Sequence, residues 1–131
     1  MIVPIVLADP HPVARAALGA LLTEGGNLDV IETADLDEGL RAVARRGAPI
    51  LIVSRRLLER GPDGLRLPAP LPAGTQTIVI GLEDSQAFER DARRAGAAAY
   101  VVKDRADREL REQVDALLRP TDLATSWRLS A

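Results

Sequence analysis

Ile50-Leu51-Ile52-Val53 is four apolar residues in succession, three of them β-branched, with Pro49 before and Ser54-Arg55 after. A strand without polar alternation is one buried on both faces, as in a parallel sheet covered by helices. Thr77-Ile78-Val79-Ile80 reads the same way. Outward from these two, Ile5–Ala8, Val30-Ile31 and Ala99–Val102 are three more short runs. Pro4 enters the first of them, where a missing N–H is tolerable. Stretches of helical period lie between the runs. Pro12–Leu22 places Val13, Ala17, Leu18, Leu21 and Leu22 on one face, and Gly25-Gly26 ends it. Asp35 is an N-cap before Leu36, Leu40, Val43 and Ala44, and Gly47 closes that helix. Asp84 or Ser85 caps a stretch through Phe88 and Ala92, and Asp104–Leu118 is a last helix that Pro120 stops.

Strands alternating with helices of ten or so residues predict βαβ units. The expected class is α/β, a flavodoxin-like, doubly wound, five-stranded parallel sheet. Such sheets place their functional site at the carboxyl ends of the strands, near the switch in strand order. The residues there are Asp9, Arg55, Gly81 and Lys103. Arg55–Gly74 breaks the rhythm, because Pro68, Pro70 and Pro72 forbid a helix. The third helix is therefore expected to be shortened or missing, with at most a turn at Leu57–Arg60 or Asp63–Leu67. Residues 1–120 read as one domain and 121–131, with Trp127, as a tail or linker.

Composition narrows the function. The chain has 131 residues, 47% hydrophobic and 27% charged, which is the balance of one globular domain. It has no cysteine, so disulfides and thiolate chemistry are excluded, and one histidine, so a two-His metal site is excluded. A net charge of −2 gives no basic excess to hold nucleic acid. The apolar runs are too short to cross a membrane and the N-terminus lacks a signal peptide's charged start, so a cytoplasmic location without membrane contact is expected. No nucleophile–base pair, P-loop or glycine fingerprint is visible, so no enzyme, catalytic residue, metal or cofactor is expected. Lysine occurs only at 103 among many arginines.

Val6-Leu7-Ala8-Asp9-Pro10-His11-Pro12, Asp63-Gly64, Ala95-Gly96-Ala97 and Tyr100-Val101-Val102-Lys103-Asp104 resemble the receiver domains of two-component response regulators. The likeness spans roughly residues 2–118 and is greatest to the subfamily with a helix-turn-helix DNA-binding output domain. It implies strand order 2-1-3-4-5. It also implies phosphoryl transfer from a histidine kinase to an aspartate ending the third strand. There, two acidic residues after the first strand hold Mg²⁺, and a Thr or Ser and a Lys contact the phosphoryl group.

Carried across residue by residue, Asp9 matches the first acidic position and Lys103 the lysine. Pro10 stands at the second acidic position, Arg55 at the acceptor (Ser54 if the alignment slips by one), and Gly81 at the hydroxyl position. The site thus reads as a degenerate phosphoacceptor site. Asp9 is expected to be bridged to Arg55, Lys103 or both. Tyr100 matches an aromatic switch position, while His11 reads as a surface residue at a helix start. Leu110 and Val114, with Tyr100, are switch or interface candidates. The expected function is a phosphorylation-independent receiver-like regulatory domain in transcriptional regulation, acting as a homodimer or through a protein partner or ligand. DNA is reached only through an output domain. The alternative is a flavodoxin-like sensor in which Arg55, Lys103 and amides at Gly81 bind an anionic small molecule.

Overall fold

A computed structural model describes residues 2–62, 64–68 and 71–119. The strands are β1 (Val3–Ala8), β2 (Leu28–Thr33), β3 (Ile50–Ser54), β4 (Arg60–Gly61), β5 (Gly64–Leu65), β6 (Gln76–Gly81) and β7 (Ala99–Val102). The helices are α1 (Pro12–Thr23), α2 (Leu36–Arg46), α3 (Gln86–Arg94) and α4 (Ala106–Leu118). β2-β1-β3-β6-β7 form one parallel five-stranded sheet, which is order 2-1-3-4-5 when its own strands are counted. All five sequence runs fall inside these strands.

The continuous apolar strands are buried on both faces, as their lack of alternation predicts. Ile5, Leu7, Ile50, Ile52, Ile78 and Ile80 pack under α1 and α4, while Val6, Ala8, Leu51, Val53 and Val79 pack on the side of α2 and α3. The helix ends follow local chemistry. Asp35 caps α2 by accepting from the Glu38 amide at 2.8 Å, and Gly47 closes it with a left-handed φ of 62°. Of the two candidates for α3, Ser85 is the cap, accepting from the Phe88 amide.

Three expectations need correction. The inward face of α1 is Leu18, Gly19 and Leu22, whereas Val13 is 72% exposed, because α1 meets the sheet only with its second half. Gly19 is buried against β2, where a Cβ would meet only the end of the exposed Glu32 side chain. Between β3 and β6 the short helical turn is Arg55–Leu57, not Leu57–Arg60 or 63–67. Ser54 caps it by accepting from the Arg56 amide, which starts the turn directly at the strand end, and the antiparallel β4–β5 hairpin follows. Lastly, Leu110 and Val114 are fully buried against the sheet and α1. They are core residues, since an i, i+4 stripe is the one a helix turns toward its sheet, and they are unavailable to an interface. Asp63, Trp127 and the expected tail 121–131 lie outside the described residues.

Candidate functional site

The sheet register assembles the site. Ala8 is level with Val53, Ser54 with Ile80 and Gly81 with Val102. Asp9, Ser54, Arg55, Gly81 and Lys103 therefore gather at the carboxyl edge, where a doubly wound sheet leaves its crevice. A cavity of about 190 Å³ opens there between the turn after β3, the loop after β6 and Lys103.

Asp9 is fully buried. Its Oδ1 accepts the His11 amide at 2.9 Å, and its Oδ2 lies 2.9 Å from Lys103 Nζ. The second contact has no hydrogen-bond geometry at Oδ2, so charge alone holds it. A buried carboxylate is stable only if paired, and Lys103, itself 15% exposed, supplies the pairing. His11 is a surface residue that caps α1, its Nδ1 accepting from the Ala14 amide at 3.2 Å.

Of the two cations expected on Asp9, only Lys103 is there. Arg55 turns the other way: its guanidinium carbon stands 3.7 Å from the Phe88 ring centroid, and its Nη1 lies 3.4 Å from Glu83 Oε2. The reason is local supply. Both oxygens of Asp9 already have contacts, and a flat, weakly hydrated guanidinium gains more by lying on an aromatic face beside a free carboxylate.

Tyr100 points inward. Its hydroxyl donates to the Glu83 carbonyl at 2.9 Å. A Cβ at Gly81 would collide with that hydroxyl and stand 3.0 Å from the ring carbon bearing it. Gly81 thus lacks a side-chain oxygen and also makes the room that the ring occupies. Burial, chiefly, pushes the Tyr100 hydroxyl above its ordinary value. The same loop is tied a third time, by Arg105 reaching both Asp84 oxygens at 2.8 and 3.2 Å. The Arg105 hydrogen bonds hold the Asp84 carboxyl below the usual carboxylate range, and the same contact raises Arg105.

The residues do not fit Mg²⁺, which wants near-octahedral oxygen coordination. Asp9 already contacts an amide and an ammonium, Pro10 has no side-chain donor, and Arg55 brings a positive charge. Among the described residues no group of three His, Asp or Glu could hold a metal ion.

Sequence reading found Asp9, Gly81, Tyr100 and Lys103 but missed Glu83, Asp84, Phe88 and Arg105. These meet across loops, with Arg55 and Glu83 28 positions apart and Arg105 and Asp84 21 apart. No spacing rule covers such pairs. Among the described residues no helix is long and apolar enough to cross a membrane.

No protein-family model matches the chain. It is 32% identical over 104 residues to the transcriptional regulatory protein UhpA of Salmonella typhimurium and 31% identical to that of Escherichia coli. Each match takes in 77% of this chain and 51% of the relative, so the chain spans about half the length of the curated relatives it matches. A response regulator protein from Burkholderia multivorans matches with a TM-score of 0.65 at 27% identity, over 92% of this chain and 98% of that one. The receiver domain of NarL from Mycobacterium tuberculosis matches with a TM-score of 0.71 at 21% identity, over 88% and 96%. A LuxR-family two-component response regulator from Aurantimonas also scores 0.71, at 23% identity, over 90% and 86%. With its sheet order, its level edge of Asp9 and Lys103 and these relatives, the chain belongs to the receiver domains of the response regulators.

Proposed function

We propose that this receiver works without aspartyl phosphorylation and passes its signal by associating with a second copy of itself or with a protein partner. In this reading it is a cytoplasmic binding module in transcriptional control and not an enzyme. DNA contact belongs to a separate output domain rather than to these acidic 131 residues, whose net charge is −2.

One observation carries the reading: Ser54 and Arg55 stand at the end of β3, where an acyl phosphate needs a carboxylate. Aspartyl phosphate forms by attack of that carboxylate on phosphorus, with cations neutralising the phosphoryl oxygens. Arg55 offers no nucleophile. Ser54 Oγ is buried, accepts the Arg56 amide at 3.3 Å and has no general base in contact among the described residues. Asp9 is held by Lys103.

With Leu110 and Val114 in the core, association falls to the outer surfaces of α3, β7 and α4. α3 carries Arg90, Arg93 and Arg94 near Glu89 and Asp91. Arg93–Glu89 and Arg60–Asp91 are paired within the chain; Arg90 and Arg94 make no ion pair among the described residues and are the charges on α3 that acidic groups of a second copy or of a partner would meet.

Incubation with a small phosphodonor and Mg²⁺, followed by intact-mass measurement, is expected to show no phosphoryl adduct. A hydroxylamine-sensitive adduct would overturn the reading. Sedimentation of the same untreated protein at micromolar concentration is expected to show a concentration-dependent dimer. A strict monomer would remove self-association and leave the partner protein as the route.

A further inference from the structure

A doubly wound sheet covers its crossovers with helices, and the side of α2 and α3 is one helix short. Between β3 and β6 the described residues form only the Arg55–Leu57 turn and the β4–β5 hairpin. Leu51, Val53 and Val79 are covered there by Leu58 and Leu65, which are buried, and by Leu57, Leu67 and Leu71, which are half-buried. Such a strap is thinner than a helix, which with its side chains is about 10 Å across. α2 and α3 therefore stand as ridges on either side of a trough. Two hollows mark it, about 390 Å³ against the start of α2 and about 380 Å³ against the end of α3, and Leu67 and Pro68 line both.

The two ends of the trough carry opposite charge. Asp35, Asp37 and Glu59 line the hollow at α2 against one cation, Arg66. Arg66 lies folded on the hairpin, in the space that a Cβ on Gly61 would need. Asp35 accepts the Glu38 amide, and none of the three acids makes an ion pair among the described residues. On α3, Asp91 leans toward the trough, where it meets Arg60. Arg93 leans toward β7, pairing with Glu89 and donating to the Ala98 carbonyl. Arg90 and Arg94, one turn apart, crest the helix between these flanks and are exposed. Arg94 precedes Ala95, which lines the second hollow. The exposed acids of α4, Asp107 and Glu112, have Arg108 between them and offer these arginines less.

This arrangement is complementary to itself. α2 begins at the carboxyl edge of the sheet and α3 ends at the amino edge, so the two hollows lie at opposite corners of the trough. A two-fold axis beside Leu67 and Pro68 lays the α3 of each copy over the α2 of the other. The Arg90–Arg94 crest then meets Asp35, Asp37 and Glu59, and every contact is made twice.

We propose that the trough left by the missing helix is the surface on which two copies of this chain join, α3 of each seated in the acidic hollow beside α2 of the other. The proposal rests on the self-association of the proposed function and names its surface, keeping α3 and pairing it with α2 in place of β7 and α4.

The test is sedimentation of the untreated 131-residue chain and two charge-reversed variants. The unaltered chain is expected to form a dimer that weakens as salt is added, because exposed charges are screened. One variant carries Arg90→Glu with Arg94→Glu, the other Asp37→Arg with Glu59→Arg. All four side chains are exposed and without an ion pair among the described residues, so the fold survives, which thermal unfolding checks. Each variant alone sets like charges against each other and is expected to dimerise about a hundredfold more weakly. Mixed in equal amounts, the two are expected to form a heterodimer as tight as the unaltered dimer. The acidic α3 of the first then meets the basic hollow of the second, and the native α3 of the second meets the native hollow of the first. Undiminished dimers in either variant, or monomers after mixing, would overturn this surface and leave self-association standing on another. A strictly monomeric unaltered chain would overturn both, leaving the proposed function its protein partner.

Discussion

Asp9–Lys103 and Arg55–Glu83 are ion pairs at the same edge of the same sheet, and burial makes them different devices. Asp9 has no exposure and Lys103 has 15%, while Glu83 is 55% exposed. The first pair cannot open without leaving a bare carboxylate in the core, so it is structural. The second is solvated, weak on its own and supported by the Phe88 ring, so it is an adjustable fastening on the loop after β6. The charge of Lys103 serves Asp9, and Arg55, just past the end of β3, fastens a loop.

The two pairs differ most at Lys103. Lys103→Met leaves Asp9 buried and unpaired, which is expected to cost about 3–5 kcal/mol in urea unfolding, a large share of the ~5–15 kcal/mol of an ordinary domain. Adding Asp9→Asn to that variant is expected to recover much of the loss. A cost under ~1 kcal/mol for Lys103→Met would place the pair among surface bridges and erase the contrast.

Gly81→Ser comes next. The added Cβ drives Tyr100 out and breaks its bond to the Glu83 carbonyl, at about 1–3 kcal/mol, the usual cost of overpacking. Tyr100 is the only tyrosine, so absorbance titration reads it alone. Its hydroxyl is raised above the ordinary 10.0 in the folded chain, mainly by burial. The folded state therefore binds that proton more tightly than the unfolded one, and the associated stability is complete below pH 10 and lost as pH rises through the folded value. In Gly81→Ser the titration is expected to return toward 10.0. An unchanged midpoint would mean that the ring never depended on the glycine.

The smallest effect is at Asp84. Its carboxyl is lowered from 3.8 by the Arg105 hydrogen bonds, so that fastening is present above 3.8 and lost as pH falls through the lower folded value. Arg105→Gln is expected to bring the Asp84 midpoint, read by carboxyl resonance, back to about 3.8.

The fold was legible because it rests on local signals. Unbroken β-branched runs marked buried parallel strands, Asp35 and Gly47 marked the ends of α2, and Pro68–Pro72 marked the missing helix. The carboxyl-edge residues were legible through register, since parallel strands of similar length bring their ends level. Partner choice was not. Asp9 had two candidate cations, and Arg55 went instead to Phe88, a residue of α3 far along the chain, and to Glu83. Nor does the spacing of Leu110 and Val114 tell an interface from a core: the sheet and α1 together are wide enough to cover both and to half-cover Leu117 and Leu118.

In the proposed function this edge lacks several groups needed for aspartyl phosphate, and not the nucleophile alone. Arg55→Asp restores the carboxylate while leaving Pro10 without a ligand, Gly81 without a hydroxyl and Lys103 on Asp9. Incubated with a phosphodonor with and without Mg²⁺ and weighed intact, this variant is expected to gain no Mg²⁺-dependent phosphoryl group. Full, Mg²⁺-dependent uptake on that single change would show that Asp9 and Lys103 were free to serve the chemistry all along, and would contradict the account.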